Sequence, residues 1–181
     1  MTKYSIQHDY AAAHDSGSRK LSAIKLIVLH DMESTNATGA AEGTGAWFER
    51  AASQGSTHYG VDNNSIQRYL DLTRISWGAP SVNTNGVHIE QMGKASWTRK
   101  QWLDKAAGTL DRTAWLIARL HKRLGIPIRR LTDAELRAGK QGVTTHRQCS
   151  RVFGGTHTDP GTGYPFDHVL ERAKQYARAM D

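Results

Sequence analysis

The chain has 181 residues, 38% hydrophobic and 23% charged, with nine histidines, one cysteine and a formal net charge of +7. That length suits one domain with a single core, and the composition is that of a soluble globular protein. The longest aliphatic run, Leu26-Ile27-Val28-Leu29, is far short of the roughly 20 apolar residues a bilayer span needs, and the lone Cys149 excludes an internal disulfide or a cysteine-rich zinc knuckle.

Met1 to Gly17 is polar and lacks an apolar h-region, so no secretory signal is expected. Residues 1–22 show no periodicity and are expected to form a loosely tied N-terminal arm ahead of one domain over 23–181. Ile24 to His30 reads as a buried strand, a short apolar run ending in a polar residue. Gly39 to Gly55, with Trp47, Phe48, Ala51 and Ala52, predicts a helix weakened by glycines. Thr57 to Val61 and Ile66 to Leu70 flank Asp62-Asn63-Asn64-Ser65, a hairpin signal, and Val87 to Met92 is a further strand. From Thr98 to Leu124, Leu103, Ala106, Leu110, Ala114, Ile117, His121 and Leu124 recur at spacings of three and four, which predicts one long helix stopped by Gly125 and Pro127. Thr132-Asp133-Ala134-Glu135 is a capping box for a short helix ending near Gly139. Gly139 to Tyr164 has no helical period and predicts a long loop, of the kind that is commonly functional. Pro165 opens a last helix with Phe166, Val169, Leu170 and Ala173 inward. Strands and helices are mixed, so the expected fold is α/β, a single domain with a central mixed β-sheet flanked by helices.

Three places put a metal-capable residue where a rigid element meets a loop: His30 before Asp31-Met32-Glu33, His146 within Gly142–Arg147, and His157-Thr158-Asp159-Pro160-Gly161. Catalytic zinc takes three protein ligands of N/O type and keeps one position open. His30, His146 and Asp159 would make such a set, acidifying a bound water. Taken singly, a strand-end histidine also reads as a hydrogen-bonded surface residue, and an aspartate before proline as a turn initiator.

Read in order, the segments resemble the type 2 N-acetylmuramoyl-L-alanine amidases, which are related to phage lysozyme-type amidases and peptidoglycan-recognition proteins. Ile27-Val28-Leu29-His30 looks like the strand carrying the first ligand, and Ser56-Thr57-His58-Tyr59 with Val61-Asp62 is similar to a central-strand segment. Trp77-Gly78-Ala79, Asn85 and Val87-His88-Ile89-Glu90 resemble the stretch leading to the catalytic glutamate. Gly125-Ile126-Pro127, Gly142–His146 and Thr156–Gly161 complete the match from about Lys25 to the C-terminal helix. The resemblance implies an amidase or peptidoglycan-recognition-protein-like fold, Zn2+ held by His30, His146 and Asp159, and catalytic Glu90 and His157. It further implies substrate contacts from His58, Trp77, Asn85 and His88. The implied reaction is hydrolysis of the amide between N-acetylmuramic acid and L-alanine of bacterial peptidoglycan. The missing secretory signal and the basic charge add the expectation of a phage endolysin domain, made in the host cytoplasm to act on the wall.

The sequence departs from that pattern in places. His157 stands where relatives often carry a lysine that stabilises the oxyanion, Gly78 follows Trp77 where a histidine is usual, and Thr57 occupies a position that is a catalytic tyrosine in some relatives. Strand alternation puts His88 and Glu90 on one face, so His88 either looks into the cleft or forms a polar rim. Cys149 is the rival third ligand, disfavoured because it follows His146 by only three residues and lacks the Pro-Gly after Asp159. His8, His14 and His168 read as solvent-facing and His121 as a hydrogen-bonded core histidine. Arg119, Lys122, Arg123, Arg129 and Arg130 read as a solvated helix end, or as a surface for anionic wall polymers. A peptidoglycan-binding module that does not cleave is the alternative function. No nucleic-acid-binding motif is present, and a monomer without membrane insertion is expected.

Overall fold

The structure is a computed structural model that describes residues 3–180; Met1 and Thr2, in the expected arm, and Asp181, at the end of the expected domain, lie outside the described residues. In chain order the elements are β1 (Leu26–Leu29), α1 (Ala40–Phe48), β2 (Tyr59–Val61), β3 (Ile66–Arg68), β4 (Gly86–Gln91), α2 (Arg99–Lys105), α3 (Ala107–Leu124), α4 (Asp133–Arg137), β5 (Gly142–Thr145), α5 (His146–Phe153) and α6 (Phe166–Arg178). The strands form one mixed sheet in the order β3-β2-β4-β1-β5. β2, β4, β1 and β5 run parallel, and only β3, the return strand of the expected hairpin, is antiparallel to its neighbour.

β1 is apolar on both faces because both faces are covered, as parallel strands require. Ile27 and Leu29 point into the larger core with Val87, Ile89 and Val143, beneath Leu116 and Ile117 of α3 and Val169 and Ala173 of α6. Leu26 and Val28 point into a smaller core with Ala79, Val82, Leu136 of α4 and Cys149 of α5. The hairpin turn is built by Asp62, whose Oδ1 accepts from the Asn64 and Ser65 amides and the Ser65 hydroxyl. The capping box at Thr132 and Glu135 forms as its pattern predicts.

Three expectations change. The helix predicted over Thr98–Leu124 is broken at Ala106 (φ −119°, ψ 24°). There the hairpin turn presses in: Asn63 Nδ2 donates to Lys105 O, and its Oδ1 accepts from the amide and hydroxyl of Thr109. The loop predicted after Gly139 contains β5 and α5. β5 is only four residues long and buried throughout, so it carries no alternation, and α5 is capped by Thr145, whose Oγ1 accepts from the Gln148 amide.

The N-terminal segment, expected to be loose, is tied down at several points from Lys3 onward. Lys3 and Tyr4 bond Asp111 of α3, Gln7 bridges to Gln67 beside β3, and Ser16 N and Arg19 N donate to Ile75 O and Thr73 O. None of these contacts leaves a local pattern, because every partner is distant in sequence.

Candidate metal centre and cleft

Strand register assembles the site. Leu29 of β1 lies opposite Ile89 of β4 and Thr145 of β5, so the next residue on each strand is His30, Glu90 or His146. Three chemistry-bearing side chains thus reach the same level at the carboxyl ends of adjacent parallel strands, which stand about 4.7–4.9 Å apart. Open α/β sheets generally bind ligands at that end.

The fourth residue arrives by a loop. After α5 the chain turns back so that Arg147 N donates to Asp159 O at 2.8 Å. Gly161 lets this loop lie against Ala95, whose carbonyl oxygen would sit 1.8 Å from any Cβ at that position. Asp159 Oδ2 lies 3.2 Å from His30 Nδ1, and Oδ1 lies 3.3 Å from His146 Nδ1. One donor atom from each of the three residues lies within 4.8 Å of the other two.

These residues line a cleft of about 450 Å³ with Glu90, Asp31, Thr57, Trp77 and His157. Burial alone would raise the Asp159 carboxyl, but hydrogen bonds and charge from His146 and His30 outweigh it and hold Asp159 well below the usual carboxylate range. Burial pushes His30 down despite Asp159, favouring neutral imidazole. Burial, reinforced by Asp159 and Asp31, pushes the Glu90 carboxyl well above its usual range. Asp31 is pushed up to about 8, chiefly by burial and against a hydrogen bond from Glu33 N. Oε2 of Glu90 and Oδ2 of Asp31 are buried without a hydrogen-bond partner among the described residues. Two imidazoles, a carboxylate and neighbouring unpartnered carboxylate oxygens are a donor set that suits a divalent cation of the zinc type.

The remaining candidates fall in different places. His157 is exposed on the cleft, its ring stacked on His146 at 3.7 Å between centroids and its Nδ1 3.6 Å from Asp159 Oδ1. Trp77 lines the cleft with its indole 39% exposed, stacked on His14 and donating from Nε1 to Ser16 Oγ at 2.7 Å. His14 is therefore a contact of the cleft wall rather than a solvent-facing bystander. Asn85 ends up at the far end of the sheet: it precedes β4 and its carbonyl accepts from Lys25 and Leu26 at the start of β1, so it cannot touch a molecule in the cleft. His58 and His88 are wholly buried and line neither the cleft nor its rim; they lie behind His30, where His88 Nδ1 is 2.9 Å from His30 Nε2. Substrate contact by Asn85, His58 or His88 is thus not what their positions allow.

Cys149 is buried in the smaller core, where burial pushes its thiol up to about 11, and it stands apart from the His30, His146 and Asp159 group. His121 bonds Ile126 O through Nδ1 at 2.8 Å. The basic cluster is dispersed: Arg119 lies over Trp115, Arg130 over Phe166, and Arg129 pairs with Glu135. Sequence reasoning missed Arg19, His14 and Ser16, which brace the cleft from the N-terminal segment through contacts with no local signal. Among the described residues no helix is long and apolar enough to cross a membrane.

Solved structures share this architecture. A Staphylococcus aureus hydrolase, AmiA, in complex with its ligand, superposes with a TM-score of 0.75 at 19% identity over 97% of this chain and 85% of that one. A mutant endolysin from Bacillus subtilis gives 0.61 at 17% identity over 98% and 99% of the two chains. The N-acetylmuramoyl-L-alanine amidase LysC from Clostridium intestinale URNW gives 0.56 at 12% over 93% and 99%. At such identities the likeness is one of fold. A comparison with curated protein sequences gives no match. The sequence profile described as N-acetylmuramoyl-L-alanine amidase matches residues 20–162, a span that includes His30, Glu90, His146, His157 and Asp159. The chain belongs to the N-acetylmuramoyl-L-alanine amidase family.

Proposed function

We propose that the chain is a zinc-dependent peptidoglycan hydrolase that opens the amide between the lactyl group of N-acetylmuramic acid and L-alanine of the stem peptide. In this reading it is a catalytic domain of the endolysin kind, acting as a monomer on the bacterial wall without membrane insertion or nucleic acid. The observation that carries it is the meeting of His30, His146 and Asp159 donor atoms within 4.8 Å, in a cleft that Glu90 also lines.

His30 Nδ1, His146 Nδ1 and an Asp159 oxygen would hold the ion. When bound, zinc supplies Lewis acidity, polarising the scissile carbonyl and lowering the pKa of water. Glu90, whose buried carboxyl readily accepts a proton, takes one from the attacking water as the oxygen bonds to the lactyl carbonyl carbon. It then passes the proton to the alanine nitrogen as the C–N bond breaks, giving a carboxylic acid and a free amine. His157 stands beside Asp159 on the open side of the cleft, where an imidazole N–H can bond the oxyanion that develops on the carbonyl. Trp77 presents an indole face for the apolar side of the sugar or peptide.

Mass spectrometry of products from purified peptidoglycan tests this directly. The expected result is a new alanine amino terminus with intact glycan strands. Cleaved glycosidic bonds, cross-bridges alone, or binding without any product would overturn it.

A further inference from the structure

Behind the cleft lies a column of imidazoles that the proposed reaction does not use. His30 Nε2 faces His88 Nδ1 at 2.9 Å, both side chains being buried. His88 in turn runs nearly parallel to His58, with ring planes 13° apart and centroids 6.0 Å apart, and His58 Nε2 lies 3.1 Å from Arg74 O, its acceptor, and 2.7 Å from Arg19 Nη2. Arg19 is itself fixed by the carbonyls of Leu72, Asn83 and Gly86. The column thus runs from the cleft to the N-terminal segment.

The slot for His88 is made by two glycines. A Cβ on Gly78 would come within 2.6 Å of His88 Nδ1, and one on Gly86 within 2.8 Å of His88 Nε2. With a side chain at either place the ring would have to move. The backbone of His88 is also locked, its amide donating to His58 Nδ1 at 3.1 Å.

An imidazole that ligates through Nδ1 must leave that nitrogen unprotonated, so its single proton sits on Nε2 and needs an acceptor. In this protein the group that faces His30 Nε2 is a histidine nitrogen, rather than the carboxylate or carbonyl that commonly serves. The geometry points to His88 as a positioning residue: its Nδ1 accepts the Nε2 proton of His30 and thereby turns the His30 Nδ1 lone pair toward Asp159 and His146. The inference rests on the proposed metal reading and adds to it the residue that selects the tautomer. In this tautomer the His88 proton sits on Nε2, which is buried with no hydrogen-bond partner among the described residues, a cost that the bond to His30 offsets.

Two substitutions at His88 separate the hydrogen bond from the packing. His88→Leu fills space without an acceptor, while His88→Asn keeps an oxygen near the place of Nδ1. In metal-stripped protein titrated with zinc against a chromogenic chelator, His88→Leu is expected to bind zinc about 10- to 100-fold more weakly and His88→Asn to stay within about threefold of wild type. Gly78→Ala, which displaces the ring, should follow His88→Leu. Nitrogen-15 and proton spectra of the zinc-loaded protein give an independent reading: the His30 Nε2–H should be hydrogen-bonded and slow to exchange in wild type and His88→Asn, and should lose both properties in His88→Leu. Zinc affinity in folded His88→Leu equal to wild type, or His88→Asn as weak as His88→Leu, would overturn the inference. Wild-type protein that binds no zinc would overturn the metal reading and this inference with it, whereas zinc bound equally well by wild type and His88→Leu would overturn the inference alone.

Discussion

The imidazole of His157 lies flat on that of His146, their centroids 3.7 Å apart and their planes 20° from parallel. One ring is buried and faces Asp159 at 3.3 Å; the other is exposed on the cleft. The stack places a hydrogen-bond donor beside the proposed ligands without making it one of them. His157→Ala should therefore lower turnover by about 10²–10³-fold, the usual effect of losing an oxyanion donor, while zinc affinity changes little. Steady-state kinetics on a soluble muropeptide, paired with zinc titration, check this. Loss of the metal in the variant would make His157 a ligand.

Glu90 belongs to the same level of the sheet as His30 but on the neighbouring strand. Glu90→Gln keeps its size and removes proton transfer, so turnover should fall by about 10²–10⁴-fold with zinc retained. Rates near wild type would move the proton-transfer role to another group, Asp31 being a second buried carboxyl that lines the cleft.

Removal of zinc should act on stability as well as activity, because ligands gathered only in the folded state couple binding to folding. Zinc at 100 times its Kd adds about 2.7 kcal/mol to the folded state, which for a chain of this size raises Tm by roughly 5–10 °C. Calorimetry with chelator and with added zinc checks the shift, and wall hydrolysis should be lost and regained in parallel. Equal Tm values in both conditions would argue against a resident metal.

Acid should loosen the N-terminal segment through Asp111. Burial works to raise this carboxyl, but hydrogen bonds from Arg172, Lys3, Tyr4 and Tyr176 outweigh it and hold it well below the usual range. A group whose pKa is depressed by folding adds stability above its unfolded value, near 4, and that contribution is lost as pH falls through the folded value. Wild type should therefore lose urea resistance below about pH 4, and Asp111→Asn should be weaker at neutral pH yet show a flatter decline in acid. Urea midpoints between neutral and strongly acid pH measure both slopes.

Asn63 joins the hairpin to the break between α2 and α3 through three hydrogen bonds. Asn63→Ala should cost about 1–3 kcal/mol by leaving the Lys105 carbonyl and the Thr109 donors unpaired, with catalysis intact because the break is remote from the cleft. Chemical denaturation beside the kinetic assay tests both parts.

Local chemistry was enough for much of this protein. The run Leu26–Leu29 declares a doubly covered strand, Thr132 and Glu135 form the cap they spell, and Gly125 ends α3 in the left-handed conformation (φ 72°) that glycine allows. The order of motifs along the chain also singles out His30, His146 and Asp159, which the fold brings together. What only the tertiary structure decided is whatever depends on register and on partners far along the chain. β5 is Gly-Val-Thr-Thr, buried on both faces, with neither the apolar run that declares β1 nor any alternation, so it and the helix after it have no local signal. Alternation could put His88 and Glu90 on one face, but not say that one ends behind a neighbouring imidazole and the other in the open cleft. Asn85 and Glu90 are five residues apart, yet a parallel strand carries them to opposite ends of the sheet. Arg19 reaches the buried imidazoles only because the N-terminal segment folds back against the sheet. Short-range patterns encode propensity, whereas the distances that make a site arise from pairing between segments, and that pairing exists only once the chain has closed on itself.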